Sequence, residues 1–142
     1  MGTISLDQAN AVVAAALEEG KKRGLKPLSV AVLDAGGHLI AFQRQDGSST
    51  LRPQIAAGKA GSALALGLSS RKVAEMAAER PSFVASLGAI GPHGMIPAAG
   101  GVIVVDQQGT AIGAVGITGD LSDNDELCAI AGIEAAGLKI QG

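Results

Sequence analysis

The sequence of 142 residues is poor in aromatic residues and in cysteine. It has no tryptophan or tyrosine, and its two phenylalanines are Phe42 and Phe83. The core must therefore be built from Val, Ile, Leu and Ala, and the stacking aromatics typical of nucleic-acid proteins are missing. The single cysteine, Cys128, excludes a disulfide framework or a Cys-x-x-Cys metal site within one chain and favours a reduced, intracellular setting.

A basic surplus, long apolar runs and a leader-like N-terminus are also missing. Eleven basic residues face 13 acidic ones, for a net charge of −2, and the basic residues are scattered, which argues against nucleic-acid binding. No apolar stretch approaches the roughly 18 residues that span a bilayer, so no membrane association is expected. The first ten residues lack the features of a signal peptide. We therefore expect a cytoplasmic protein with a single domain over residues 1–142.

The stretch from Gly101 to Asp123, GVIVVDQQGTAIGAVGITGDLSD, organises the rest of the sequence. An unbroken apolar strand is followed by a turn and by a second strand in which glycine recurs at 113, 116 and 119. Val and Ile favour a packed pleated surface, whereas glycine within a strand usually marks a bulge or the close approach of another backbone or a ligand. We therefore predict a buried hairpin that forms one wall of a site.

An earlier segment repeats this pattern, which predicts the fold. V-x-D-x-x-G-x-x-I occurs from Val32 to Ile40 and again from Val104 to Ile112, and so indicates two similar hairpins in one sheet. Helical periodicity and a capping box at Ser5 predict helices around them. The order α-ββ-αα-βββ-α, with the fifth strand before the second hairpin, predicts an α+β domain of two layers: a profilin-like antiparallel sheet of about five strands packed against helices.

Three polar residues are candidates for chemistry in the first half of the chain. Arg44 and Asp46 lie where the first hairpin ends, in the run FQRQDGS, and are either a site at a strand end or a solvated loop pair. Lys59 lies within a helix of small, apolar residues. It either extends its ammonium to the surface, which is the commoner outcome, or points into a cleft and holds an anion.

Candidates in the second half are a loop histidine and a helix start. His93 lacks partners at zinc-site spacing, but a haem iron needs only one axial residue, for which His93 and Thr118 are candidates. The backbone N–H groups of residues 119–125, at the start of a helix that Ser122 is predicted to cap, could hold an anion. The aspartates of this segment would repel an anion, so a cation or a hydroxylated ligand is equally consistent. They are Asp120, Asp123 and Asp125.

Together these segments resemble the HbpS/GlcG family, which includes the C-terminal domain of PduO-type proteins. The resemblance covers nearly the whole chain. The matching segments are VLDAGGHL, FQRQDGS, IAAGKA, the glycines at 100–101, and GAVGITG with the acidic helix start after it. The resemblance implies an antiparallel sheet flanked by helices and homo-oligomers from dimer to octamer, and some members of the family bind haem.

Three functions are consistent with these features. The first is binding of a small molecule, haem or another tetrapyrrole among the candidates, with His93 or Thr118 on the iron and Arg44, Arg52 or Lys59 at the propionates. The second is an enzyme acting on a small oxygenated or carboxylated metabolite, and the third is an assembly module built on small residues of the second helix. The candidate catalytic residues are Lys59, Asp46 and His93. The candidate ligand-binding residues are Arg44, Lys59, Gly100, Gly101, Gly116, Thr118, Gly119, Asp123 and Asp125.

Overall fold

A computed structural model describes residues 2–142, in which five helices and five strands follow one another. They are α1 Leu6–Lys22, β1 Ser29–Asp34, β2 Leu39–Arg44, α2 Arg52–Leu66, α3 Ser70–Glu79, α4 Pro81–Leu87, β3 Gly101–Val105, β4 Ala111–Thr118, α5 Ser122–Ala135 and β5 Lys139–Ile140. The strands form one antiparallel sheet in the order β2-β1-β4-β3-β5. The predicted α+β class is confirmed, and so are the two hairpins, β1–β2 and β3–β4.

The sheet lies between two helical layers, where one was expected. Helix α2 packs on β1, β3 and β4 from one side, whereas α1 and α5 contact each other and the opposite face. All five residues of β3 are buried because both of its faces are covered. The unbroken apolar run Val102–Val105 is the sequence sign of this two-sided burial. The fifth strand also differs in position, since β5 follows α5 and pairs with the end of β3.

The two hairpins repeat the same turn, as the sequence predicts. Asp34 Oδ1 accepts hydrogen bonds from the backbone N–H groups two and four residues later, at 2.9 Å each, and Asp106 does the same at the same distances. Gly37 and Gly109 follow with φ of 85° and 83°, a backbone conformation that favours glycine. The backbone N–H of His38 has the largest effect on Asp34, and together with that of Gly36 it holds the pKa of Asp34 below its usual value.

The strand glycines explain how closely α2 approaches the sheet. A Cβ added at Gly101 would overlap the carbonyl oxygen of Lys59, and one added at Gly116 would overlap that of Ala56. Only glycine at both positions leaves room for the helix backbone to rest on the strands. The close approach predicted from the sequence is therefore that of another backbone.

The main core cluster fills the space between the sheet and the α1–α5 layer. Cys128 lies within it, fully buried. Burial raises the pKa of its thiol to about 11, and since the thiolate is the reactive form, the folded protein keeps this sulfur inert. In residues 2–142, no helix combines the length and apolar character that a bilayer crossing requires.

Candidate functional site

Lys59 forms a buried ion pair with Asp125. Its Nζ donates to Asp125 Oδ2 at 3.0 Å and to the carbonyl oxygen of Ile117 at 3.0 Å, and the two charged side chains are 3% and 1% exposed. The other carboxylate oxygen, Oδ1, accepts from the backbone N–H of Asp120 at 3.0 Å. Lys59 therefore does not extend to the surface, and the anion that it holds is a carboxylate of its own chain.

Burial sets the direction of both pKa shifts in this pair. Removal from water lowers the pKa of Lys59, and the charge of Asp125 opposes that change. Burial likewise raises the pKa of Asp125, and Lys59 opposes it together with the Asp120 N–H donor. The pair ties α2 to β4 and α5, and the ammonium already has two acceptors within the protein.

Of the predicted ligand-binding glycines, Gly100 lies against the Lys59 side chain and the others pack against backbone. A Cβ at Gly100 would lie 2.9 Å from Lys59 Nζ, and one at Gly119 would overlap the carbonyl oxygen of Pro27. Thr118 is buried beside them, and its Oγ1 accepts from Arg52 Nη1 at 2.7 Å. Packing within the chain accounts for these positions, and a role for them in ligand binding stays a prediction.

The segment before α5 is held by Asp120 and not by a serine cap. Leu121 occupies the N-cap position without a side-chain bond, so the expected cap at Ser122 is not formed. Asp120 accepts from the backbone N–H groups of Lys26 and Leu121 and from Asn124 Nδ2, at 2.8–2.9 Å. The Asn124 bond is the largest of the effects that lower the pKa of Asp120 to about 2.

This depressed pKa predicts a pH-dependent stability. The pKa of Asp120 is about 2 in the folded state and 3.8 in the unfolded state. Its carboxylate therefore stabilises the native state fully above pH 3.8, and this contribution is lost as the pH falls through about 2. We expect Asp120→Asn to lower the Tm at neutral pH, and the difference from wild type to shrink as the pH falls from about 4 to about 2. Thermal unfolding followed by circular dichroism measures this, and a difference that stays constant over the range would contradict it.

Asp123 lines a cleft that the sequence analysis did not predict. Arg71 of α3 donates to Asp123 at 2.6 Å and to Glu126 at 2.9 Å. Both bonds raise the pKa of the guanidinium, and the bond to Asp123 has the larger effect. Arg71 and Asp123 line a cleft of about 450 Å³ together with the 97–99 segment. The spacing of Asp123 and Glu126 places both carboxylates on one helix face and indicates a shared basic partner. That partner, Arg71, lies more than 50 residues away in the sequence, so the sequence alone could not identify it.

Arg44 and Asp46 line a different cleft, of about 510 Å³. Lys21 and Leu17 of α1 form its opposite wall. Both Arg44 and Asp46 are exposed, which suits residues that meet a ligand. Arg44 and Asp46 therefore line one cleft, and the buried Lys59 does not lie in it; a role of Arg44 and Asp46 in a site stays a prediction.

His93 is anchored between α2 and the first hairpin. Its ring packs over Gly61, where a Cβ would lie 2.8 Å from the ring, and its Nε2 donates to the carbonyl oxygen of Gly37 at 2.7 Å. The carbonyl oxygen only accepts, so the bonded Nε2 carries a proton, and in the neutral ring Nδ1 is the nitrogen with a lone pair. His93 borders two open clefts of about 460 and 150 Å³. The small-residue stripe of Ala57, Gly61 and Ala65, predicted as an assembly surface, is thus partly covered by this loop.

Within residues 2–142, no group of three or more His, Cys, Asp or Glu side chains is placed to hold a metal ion. The predicted site residues lie in four separate places: the buried Lys59–Asp125 pair, the cleft of Arg44 and Asp46, the cleft of Asp123, and the loop of His93. The polar clefts can bind charged groups, and the histidine offers one nitrogen ligand beside small apolar side chains.

Comparison with known proteins identifies relatives of the whole fold. The chain is 36% identical over 117 residues to Protein GlcG of Escherichia coli, which covers 81% of each chain. The crystal structure of a double mutant of Streptomyces reticuli HbpS matches with a TM-score of 0.80 and 29% identity, over 93% of this chain and 86% of that one. A structure described as the PduOC:heme complex matches with a TM-score of 0.86 over 99% of both chains, and its 19% identity shows the fold alone. The model of the family described as "Haem degrading protein HbpS-like" matches residues 4–134, and the chain belongs to this HbpS-like family.

Proposed function

We propose that this chain binds a small, flat, largely apolar molecule, with haem as the first candidate, on the surface around His93. This surface, the His93 shelf, consists of Pro53, Gln54, Ala57, Gly61, Ala65, Pro92 and His93. The observation that carries the proposal is a half-buried imidazole that borders two clefts among small side chains. Such a combination of apolar lining and one well-placed polar group is typical of small-molecule sites.

Relatives support haem as the ligand to test first. The family description refers to haem degradation, and one structure with the same fold is described as a haem complex. These statements concern the relatives, and for this chain they supply the choice of ligand. The geometry of the His93 shelf indicates which residues would bind it.

The donor set fits a haem held at the surface. The clefts beside His93 are open, and an axial bond requires either Nδ1 or an Nε2 freed from Gly37. Arg52 begins α2 next to Pro53, and since its Nη1 already donates to Thr118 Oγ1, only its remaining Nη2 group would bind a propionate. Bound haem would supply a redox-active iron, and the protein would supply binding and orientation.

Titration with hemin tests the proposal. We expect a Soret band that saturates near one hemin per chain and that His93→Ala abolishes or weakens at least about tenfold, because the axial nitrogen is lost. His38→Ala is the matched control, since His38 is exposed and bonded to Asp34 on the neighbouring hairpin.

Two results would contradict this assignment. An unchanged spectrum at stoichiometric hemin would reject haem as the ligand. A Soret band that survives in His93→Ala and disappears in His38→Ala would reject the His93 shelf as its site.

The cleft of Arg44 and Asp46 favours a second candidate function, an enzyme for a small carboxylated metabolite. Arg44 and Lys21 border about 510 Å³ of open space and could bind a carboxylate, with Asp46 as a proton-transfer group. The buried Lys59 does not contribute to this version of the hypothesis, because its ammonium is bonded to Asp125 and Ile117.

A further inference from the structure

Arg52, the first residue of α2, is a half-buried cation whose hydrogen-bond partners are neutral. Its Nη1 donates to Thr118 Oγ1 at 2.7 Å, and its Nε donates to Ser49 Oγ at 3.3 Å. Within residues 2–142 no carboxylate forms an ion pair with this guanidinium. Charges withdrawn from water are normally paired, so the guanidinium of Arg52 is suited to an anion from outside the chain.

The surroundings of Arg52 also carry an excess of positive charge. Burial is the main cause of the lowered pKa of Lys59, and the nearby charge of Arg52 lowers it further. Asp125 pairs with Lys59, so one positive charge of this group stays uncompensated. Helix α2 adds to it, because Leu51 at its N-cap makes no side-chain cap bond and its first turn holds no acidic residue.

A buried hydroxyl faces the same space. Ser29 of β1 lies directly opposite Thr118 of β4, so their side chains share one face of the sheet, with Cβ atoms about 4.5–5.5 Å apart. Helix α2 covers this face, since Gly116 lies against Ala56, one turn after Arg52. Ser29 is fully buried, and its Oγ has no hydrogen-bond partner among the described residues. A buried hydroxyl without a partner costs free energy, and a ligand oxygen that accepts from it would recover that cost.

We propose that Arg52, Thr118 and Ser29 form a binding site for the carboxylate group of a small ligand. Nη2 of Arg52 donates to one carboxylate oxygen, and the hydroxyls of Thr118 and Ser29 donate to the other. The Arg52 side chain is long and only half-buried, so an outward shift of it admits the carboxylate to the two buried hydroxyls. The single uncompensated positive charge favours a carboxylate over the more highly charged phosphate.

This site is independent of the other two ligand surfaces. None of its three residues lines the cleft of Arg44 and Asp46 or the clefts beside His93. A haem propionate is one carboxylate of the proposed kind, but the site needs neither haem nor the imidazole. Acetate without hemin therefore tests it separately from the proposed function.

NMR spectroscopy of the ¹⁵N-labelled chain, with sodium acetate replacing sodium chloride at constant ionic strength, tests this site. We expect saturable shifts of the backbone amides of residues 52–55 and 118, and Arg52→Gln is expected to weaken acetate binding at least about tenfold, because a charge-assisted bond is lost. Arg80→Gln is the matched control, since Arg80 is exposed and lies over the ring of Phe83. It is expected to leave the affinity unchanged, and the same spectra show that each variant is folded.

Ser29→Ala separates a binding role from a structural one. We expect it to weaken acetate binding by about threefold or more, while the free variant keeps a Tm at least equal to that of wild type, because alanine removes a hydroxyl that has no partner. Phosphate, titrated in the same way, is expected to bind more weakly than acetate.

Four results would overturn the proposal. They are an absence of saturable shifts with acetate, equal losses of affinity in Arg80→Gln and Arg52→Gln, wild-type affinity in Ser29→Ala, and tighter binding of phosphate than of acetate.

Discussion

Replacing Lys59 by methionine is expected to lower the free energy of unfolding by about 3–5 kcal/mol, because Asp125 is left as a buried charge without its partner. Asp125 is 1% exposed, so water cannot take the place of the ammonium without opening the junction of α2, β4 and α5. Since small domains are stable by about 5–15 kcal/mol, this single change removes a large part of the total. Urea denaturation followed by circular dichroism measures the loss.

Two further variants separate the ion pair from general effects of the substitution. Lys22→Met changes an exposed lysine whose Nζ lies 3.8 Å from Glu19, and its expected cost is within about 1 kcal/mol. The double variant Lys59→Met with Asp125→Asn removes both charges and keeps an oxygen that can accept from Asp120 N–H, so it should be more stable than Lys59→Met alone. Equal losses in Lys59→Met and Lys22→Met would contradict a structural role for the pair.

Gly116→Ala is expected to destabilise the domain by about 3 kcal/mol or more, at the upper end of what overpacked cores show. The added methyl group would overlap the Ala56 carbonyl oxygen, which is backbone and can move only if α2 lifts from the sheet. Such a shift would also disturb Thr118 and its bond from Arg52. Thermal and urea unfolding measure the loss.

Gly88→Ala is the matched control for this prediction. Gly88 has a helical φ of −58°, and a Cβ there would meet its nearest atom at an ordinary 3.7 Å. Replacement of such a glycine is neutral or stabilises by about 0.4–1 kcal/mol, because the unfolded chain becomes less flexible. If Gly116→Ala were equally well tolerated, the tight contact between α2 and the sheet would not exist in solution.

Local chemistry explains which parts of the fold were predictable. The capping box at Ser5 and the twin hairpin turns at Asp34 and Asp106 depend on residues at most four positions apart, and the structure forms all of them. The two-residue strand β5 has no periodicity of its own and exists because it pairs with β3. The second helical layer likewise depends on packing between distant segments, so the sequence pattern could only hint at it.

The candidate site shows the same limit more strongly. Glycine spacing in β4 predicted a close approach but could not say whether a helix or a ligand would come near. Lys59 needed a partner, yet Asp125 lies 66 residues away and its role depends on how α5 returns to the sheet. That Arg44 and Asp46 line one cleft follows from their places two residues apart, at the end of β2 and in the turn after it.

The burial of Cys128 has a practical consequence for spectroscopy. With the native sulfur sequestered in the core, a cysteine introduced at an exposed position such as Gln108, at the tip of the second hairpin, becomes the one thiol open to a maleimide dye or a nitroxide. The native protein can therefore be labelled without first replacing Cys128. A label at this position would then report on the second hairpin without any further change to the core.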